Sequence, residues 1–116
     1  MEIKIVKNPI SNEELLSLAK EGFGDLVKAA VDIEQEIMAV GGELHMDEEV
    51  LLIEEERSRQ ENIWGINLYP GKSGDDFIEF DSMINLKPAF GNRSRGVDDP
   101  DIREKIKAVV AKLISS

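Results

Sequence analysis

Residues 62–70 read NIWGINLYP, and the apolar side chains of this stretch fall at alternate positions. Successive side chains of a β-strand point to opposite faces of a sheet, so Trp64, Ile66 and Leu68 are expected to share one face. The turn sequence PGKSGDD at 70–76 separates this segment from the next apolar one. The stretch therefore predicts a strand of an antiparallel sheet that buries one face.

Three neighbouring segments show a similar two-residue period, namely ELHM at 43–46, VLLIE at 50–54 and FIEFDSMINLK at 77–87. With 62–70 they predict four strands of a meander. Most of their apolar residues lie at even positions, which predicts one helix-covered face made of Leu44, Met46, Trp64, Ile66, Leu68, Ile78, Phe80, Ile84 and Leu86. The second segment also fits a short helix, because acidic residues flank its apolar run.

A long N-terminal helix is predicted between Ser11 and Gly41. Ser11 is the candidate N-cap, and Glu14 completes a capping box. Gly22 and Gly24 predict a kink or close packing within this helix. Apolar residues then recur at spacings of three and four, which is one helical face: Leu15, Ala19, Phe23, Leu26, Ala30, Ile33 and Ile37.

A second helix is predicted over 98–114, with Asp99 as N-cap and Pro100 in the first helical position. A short strand is predicted over 2–6. We therefore expect an α+β fold with a single two-layer domain over residues 1–116. Its mostly antiparallel sheet carries the long N-terminal helix and the C-terminal helix on one face.

The composition excludes several classes of site and partner. The chain has 116 residues, a formal net charge of −10 and no cysteine, so disulfides, thiolate zinc sites and cysteine nucleophiles are excluded. The acidic balance argues against nucleic acids and anionic membranes as partners. The longest apolar runs have four residues, and no signal sequence is recognised, so we expect a cytoplasmic protein that does not cross a membrane.

Four blocks of the sequence resemble a family of small prokaryotic proteins catalogued as a domain of unknown function: FGDLVKAAVDIEQEIMAVGGELH, SRQENIWGINLYP, FIEFDSMINLKP and GNRSRGVDDPDIR. The resemblance covers nearly the whole chain and implies a self-contained domain with no activity to transfer. A small residue or glycine often precedes SRQ in that family, where this chain has Arg57. This departure weakens the expectation of a tight turn at 56–58.

The odd positions of the predicted strands supply a polar face that is the candidate site. His45, Glu79 and Asp81 are the candidate catalytic residues, because a histidine oriented by a carboxylate is suited to acid–base chemistry. The candidate ligand-binding residues are Asn67, Tyr69, Asn85, Arg93 and Arg95. The alternative interpretation is that the solvent-facing side of a sheet is polar in any case.

Two charged stretches are candidate binding sites. The acidic residues of 47–56 suit calcium or magnesium, but their spacing matches no EF-hand loop and is more typical of a solvated charge flank, so no metal site is predicted. GNRSRG at 91–96 suits an anion site, but the acidic start of the following helix would repel an anion. We therefore expect Arg93 and Arg95 to pair with carboxylates of the same chain.

Two functions remain as expectations. The first is a small cytosolic, non-enzymatic interaction module that self-associates through an exposed sheet face with Met83, Tyr69 and Phe77. The second is a small-molecule enzyme or anionic-ligand-binding protein that uses the polar face, with His45, Glu79, Asp81, Asn85, Arg93 and Arg95. No cofactor is predicted, and direct nucleic-acid binding ranks last because of the net charge.

Overall fold

The structure is a computed structural model that describes residues 2–115. Within these residues a five-stranded sheet has the strand order β1-β4-β3-β5-β6, and every neighbouring pair is antiparallel. The sheet strands are β1 (Lys4–Val6), β3 (Val27–Asp32), β4 (Ile37–Val40), β5 (Ile63–Leu68) and β6 (Ile78–Glu79). A separate parallel pair joins β2 (Ile10–Ser11) to β7 (Ile114–Ser115). The helices are α1 (Asn12–Glu21), α2 (His45–Glu56) and α3 (Pro100–Leu113). The expected α+β fold with a mostly antiparallel sheet is confirmed.

The sheet is covered on both faces. On the first face α1 and α3 pack against the even residues of β5, including Trp64 and Ile66. This confirms the expected helix-covered face of β5 and the expected positions of the N-terminal and C-terminal helices. On the second face α2 contributes Leu52 to a smaller core with Ala30 and Ile63. β5 is therefore buried on both faces, as is most of β3, the middle strand of the sheet.

The prediction of one long N-terminal helix is wrong beyond residue 21. Ser11 does cap α1, because its hydroxyl oxygen accepts the N–H of Glu14 at 3.1 Å. The helix then ends at Gly22, and Gly24 takes a positive φ of 98°. Residues 27–40 form the β3–β4 hairpin instead. In its turn the Asp32 carboxylate accepts backbone N–H groups, and Glu36 adopts a φ of 57°.

The predicted strand at 43–46 is also wrong, whereas the helical alternative for the acidic stretch is confirmed by α2. Besides Leu52, the buried residues of this helix are polar, and several of its apolar residues are exposed. His45, Glu48, Glu49 and Leu52 are buried, while Met46, Val50 and Ile53 are exposed. The turn expected at 56–58 forms despite the arginine, since Arg57 ends α2 in the left-handed region with a φ of 57°.

FIEFDSMINLK forms a strand over Ile78–Glu79 and then a 3₁₀ helix over Met83–Asn85. Asn85 and Ser82 bring this segment against β5. A Cβ at Gly65 would lie 2.5 Å from the Ser82 Oγ, so only glycine permits this approach. Ile78 and Phe80 pack against the α1–α3 side as expected, but Ile84 joins the core on the α2 side.

The C-terminal helix begins as predicted, because the Asp99 carboxylate accepts the N–H of Asp101 at 2.8 Å. Its last residue leads directly into β7, which pairs with β2 next to the start of α1. Across residues 2–115, no helix combines the length and apolar character needed to cross a membrane.

Candidate functional site

A cleft of about 460 Å³ opens on the α2 face of the sheet, at the N-terminal end of α2. We call it the His45 cleft. Its polar lining consists of Lys28 from β3, His45 from α2, Asn67 from β5, and Asp81, Ser82 and Arg95 from the loops beyond β6. Leu44, Met46, Met83 and Ile84 supply its apolar lining. Small-molecule sites have volumes of roughly 300–1,000 Å³, so the cleft is large enough for a small ligand.

His45 is held at the floor of the cleft by the backbone of β5. Its Nε2 lies 2.8 Å from the carbonyl oxygen of Ile66. A carbonyl oxygen only accepts hydrogen bonds, so Nε2 carries the proton of the neutral ring and Nδ1 is the basic nitrogen. Burial lowers the pKa of His45, and the charge of Lys28 acts in the same direction, although Ile66, Asp81 and Asn67 oppose the shift. His45 is therefore a neutral imidazole at neutral pH.

Asp81 and Arg95 form an ion pair at the edge of the cleft. The Arg95 Nε donates to the Asp81 Oδ1 at 2.7 Å, and both side chains are about half exposed. The predicted pairing of this arginine with a carboxylate of the chain is confirmed. The pair leaves the other guanidinium N–H groups of Arg95 without a carboxylate partner among residues 2–115.

Arg93 lies outside the cleft, and its guanidinium forms no ion pair with a carboxylate among residues 2–115, so the pairing predicted for its side chain is wrong. Its backbone N–H donates to the Asp98 Oδ2 at 2.9 Å, and the Ser94 hydroxyl donates to the Asp98 Oδ1 at 2.6 Å. These hydrogen bonds lower the pKa of Asp98, and the one from the Ser94 hydroxyl has the largest effect. The two arginines of GNRSRG therefore have different surroundings, and Arg95 is the one that lines the cleft.

Glu79 turns toward its own strand neighbours. Its Oε1 accepts hydrogen bonds from the Asn67 Nδ2 at 2.8 Å and from the Tyr69 hydroxyl at 3.1 Å. Asp81, and not Glu79, is the carboxylate that shares the cleft with His45. Of the eight candidate residues, the structure places four in the lining of the cleft: His45, Asn67, Asp81 and Arg95.

Asn85 has a different position from the one expected. It is fully buried, and its carboxamide bonds the backbone of Gly65 and the carbonyl oxygen of Arg95. Its hydrogen-bonding groups are thus engaged within the fold, and its side chain does not line the cleft.

Two contributors were missed from the sequence. Lys28 was assigned to the interior of a helix, yet it lies on β3 and lines the cleft, with its Nζ 4.9 Å from the centre of the Phe23 ring. Asn92 lies next to Arg93 in GNRSRG, and no role was predicted for it. Its buried carboxamide binds the carbonyl oxygens of Asn85, Ser94 and Gly96. The available sequence signal for this role was an asparagine directly after a glycine in a predicted loop.

The acidic stretch supplies no obvious metal centre. Glu48 and Glu49 turn inward, and within residues 2–115 no three His, Asp or Glu side chains are grouped to hold a metal ion. Burial raises the pKa of Glu48 well above its usual value, although the hydrogen bond from the Gly42 N–H and the charge of Lys28 act in the opposite direction. Glu49 faces Lys87 instead, with 3.9 Å between its Oε2 and the Nζ.

These observations define a small α+β protein with a polar cleft between a helix N-terminus and a sheet. The chain belongs to the family described as "Protein of unknown function (DUF5674)", whose model matches residues 4–113. This confirms the resemblance to an uncharacterised family. Neither a curated protein nor a solved structure matches the chain.

Proposed function

We propose that the protein is a non-enzymatic interaction module that self-associates through an apolar surface on α2 and the adjoining 3₁₀ helix. We call this the α2 apolar surface, and it consists of Leu44, Met46, Val50, Ile53 and Met83. The observation that carries the proposal is that α2 turns Met46, Val50 and Ile53 to solvent while it buries two glutamates. The proposed setting is the cytoplasm, in keeping with an acidic chain that has no cysteine.

The arrangement of α2 differs from that of an ordinary surface helix. Such a helix faces its apolar stripe toward the core and its charges toward solvent. In α2, Met46, Val50 and Ile53 follow each other at spacings of four and three, so they lie on one helical face. Met46 is 59% exposed and Met83 is 60% exposed. Contiguous exposed apolar residues mark surfaces that bind a partner.

The partner surface differs in part from the one predicted. Met83 is exposed, as a partner surface requires, and it shares the cleft lining with Leu44 and Met46. Phe77, however, packs against the α1–α3 core, and the Tyr69 hydroxyl bonds Glu79. We therefore assign the contact to Met83 and α2 and leave Tyr69 and Phe77 outside it.

A second copy of the chain is the occupant that the charges favour. The exposed acidic residues Asp47, Glu54 and Glu55 belong to the same helix as the apolar stripe, whereas Lys28 and Arg95 line the neighbouring cleft. A two-fold interface must be self-complementary, and a surface with both charge signs allows the acidic helix of one copy to face the basic edge of the other. A standard interface needs about 800 Å² per partner, roughly one eighth of the 6470 Å² surface of this chain.

Light scattering coupled to size-exclusion chromatography tests the proposal. We expect the wild-type chain to elute as a defined oligomer, and we expect Met46→Asp and Met83→Asp to reduce its mass to that of the monomer. A buried charge without a partner destabilises an interface strongly. The NaCl concentration is kept constant, because salt screens both the repulsion between chains of net charge −10 and the attraction between the acidic helix and the basic edge.

Phe90→Asp is the matched control. Phe90 is as exposed as Met83, but it borders a separate cleft with Trp64 and Ile102 on the α1–α3 side. This variant should retain the oligomer. A wild-type chain that is monomeric at all protein concentrations, or equal dissociation by all three substitutions, would contradict the proposal.

A further inference from the structure

We propose that the His45 cleft binds a small organic anion, whose carboxylate or phosphate contacts Lys28 and Arg95 and whose hydrocarbon portion contacts Leu44, Met46 and Met83. This inference goes beyond self-association. Because both proposals use Leu44, Met46 and Met83, a ligand in the cleft and a second copy of the chain compete for this surface. It rests on the charges that line the cleft, on a buried amide in its floor and on the position of its apolar residues.

The cleft is locally basic in a strongly acidic chain. Its charged lining consists of two cations, Lys28 and Arg95, and one carboxylate, Asp81. Lys28 forms no salt bridge with any residue between 2 and 115. The Phe23 ring holds its ammonium group at 4.9 Å without neutralising it. An unpaired cation in a partly enclosed site is suited to bind an anion.

The N-terminus of α2 adds to the positive field. Leu44, His45 and Met46 all line the cleft, so the first turn of the twelve-residue helix borders it. The N-cap is Leu44, which provides no side-chain hydrogen bond. Free N–H groups at a helix start attract anions. The same turn carries two acidic residues, Asp47 and Glu48. Asp47 is exposed, Glu48 is buried, and neither lines the cleft.

The floor of the cleft has hydrogen-bonding capacity that the described part of the fold does not use. Asn67 is 8% exposed, and its Oδ1 has no hydrogen-bond partner among residues 2–115. Its Nδ2 is held by Glu79 at 2.8 Å. Buried polar groups are normally paired, so an unpaired amide oxygen beside a cleft indicates a site that a hydrogen-bond donor completes. A bridging water fits this role, because it donates one hydrogen to the amide oxygen and the other to the anion.

The apolar lining indicates that the ligand also carries a hydrocarbon group. Leu44, Met46 and Met83 are each more than half exposed and lie on the rim, opposite the polar floor. Methionine side chains adapt to irregular apolar groups. An anion with a short hydrocarbon tail therefore contacts both parts of the cleft, whereas inorganic phosphate contacts only the charged part.

Two-dimensional NMR titration of the ¹⁵N-labelled chain tests the inference, with hexanoate and hexyl phosphate as the anionic probes and hexanol as the neutral control. We expect at least one anion to shift the amide signals of Lys28, His45 and Asn67, and hexanol to bind about tenfold more weakly. The stronger anion identifies the carboxylate or phosphate class. Light scattering of the same samples reports the oligomer separately, so failure of one proposal is distinguishable from failure of the other.

Two substitutions, one that removes a positive charge from the cleft and one that removes a negative charge, make the test specific. Lys28→Gln should weaken the anion about tenfold, whereas Asp81→Asn should strengthen it by removing the carboxylate that competes for Arg95. The matched controls are Lys72→Gln, whose ammonium group lies 4.7 Å from the Tyr69 ring outside the cleft, and Glu55→Gln at the far end of α2. Neither control should change the affinity more than about twofold, because a Debye length of about 8 Å screens distant charges. Equal binding of hexanol, absence of binding by both anions, or equal effects of Lys28→Gln and Lys72→Gln would overturn the inference.

Discussion

The side chain of Asn85 takes the place of a neighbouring strand beside Gly65. Its Oδ1 accepts the Gly65 N–H at 2.7 Å, and its Nδ2 donates to the Gly65 carbonyl oxygen at 2.9 Å. The same Nδ2 donates to the carbonyl oxygen of Arg95 at 2.9 Å. Strand β6 pairs with β5 at Asn67 and Leu68, so this carboxamide continues the hydrogen bonding of the sheet edge where β6 has ended.

Replacement of this carboxamide should destabilise the fold strongly. Asn85→Ala leaves the N–H and C=O of Gly65 without a partner in a buried region, whereas the C=O of Arg95 still accepts the Ser82 N–H. Each unsatisfied buried group costs about 1–3 kcal/mol, so we expect a loss of at least about 2 kcal/mol in the free energy of unfolding. Urea denaturation measures it. The control is Asn62→Ala, whose amide bonds Glu34 at an exposed site. A loss no larger than that of the control would be inconsistent with this role.

His45 should titrate below the usual histidine range. Burial lowers its pKa in the folded state, so between that pKa and the unfolded value of about 6.5 the unfolded chain binds more protons. The free energy of unfolding should therefore fall as the pH drops below about 6.5 and level off below the folded pKa. The ring signals of the only histidine in the chain give the pKa by NMR.

Two variants provide the controls for this titration. Lys28→Gln should raise the pKa of His45, because the lysine charge lowers it. His45→Gln should remove this part of the pH dependence of stability. A folded pKa at or above about 6.5 in the wild-type chain would contradict the described surroundings of the ring.

Glu48 should weaken the fold at neutral pH. Its pKa is raised by burial, so the folded chain holds the extra proton between the unfolded value of about 4.3 and the folded pKa. Stability falls as the pH rises through this window, by about 1.4 kcal/mol for each unit crossed. Glu48→Gln cannot ionise and keeps an oxygen for the Gly42 N–H, which donates to Glu48 at 2.9 Å.

We expect Glu48→Gln to be more stable than the wild type at about pH 7.5, with a smaller gain at about pH 4.5. Urea denaturation at both pH values measures the difference. Glu55→Gln removes an exposed charge from the same helix and should show neither effect. Equal stability changes at the two pH values would show that ionisation of Glu48 is not the cause.

Arg57 carries a backbone cost that glycine avoids. It ends α2 at φ 57° and ψ 31°, and the left-handed region costs a non-glycine residue about 1–2 kcal/mol. Arg57→Gly should therefore raise the free energy of unfolding by about 1 kcal/mol, after the larger chain entropy of glycine is subtracted. Thermal or urea denaturation measures the gain. Arg59→Gly is the control, because Arg59 has an extended backbone with a φ of −96° and should lose stability.

The sequence predicted the parts of the fold in which side-chain period and burial agree. Trp64, Ile66 and Leu68 face the α1–α3 core as their alternation indicated, and this placement put Asn67 on the face of the cleft. The caps at Ser11 and Asp99 were also predicted correctly, because their chemistry is local. These local signals do not depend on the strand order.

The errors have two physical causes. Residues of β3 and β4 are buried on both faces, so Ala29, Ala30 and Val31 are all apolar and imitate a helical stripe. The turn between these strands uses Glu36 at a positive φ, where glycine would have marked it. In α2 the usual pattern is largely reversed. The rule that apolar residues face the core therefore assigns the buried and exposed faces of this helix wrongly. Lys28 was missed as a cleft residue because it lay inside the helix predicted over 11–40.

The parallel pairing of β2 with β7 ties the beginning of the fold to its end. Ile10 lies opposite Ile114, and the hydroxyl of Ser115 donates to the carbonyl oxygen of Ile10 at 3.2 Å across 105 positions of the sequence. During synthesis β2 therefore has no strand partner until the last part of the domain has been made. The α1 end of the core closes as a late step, and the nascent chain exposes that apolar surface in the interval.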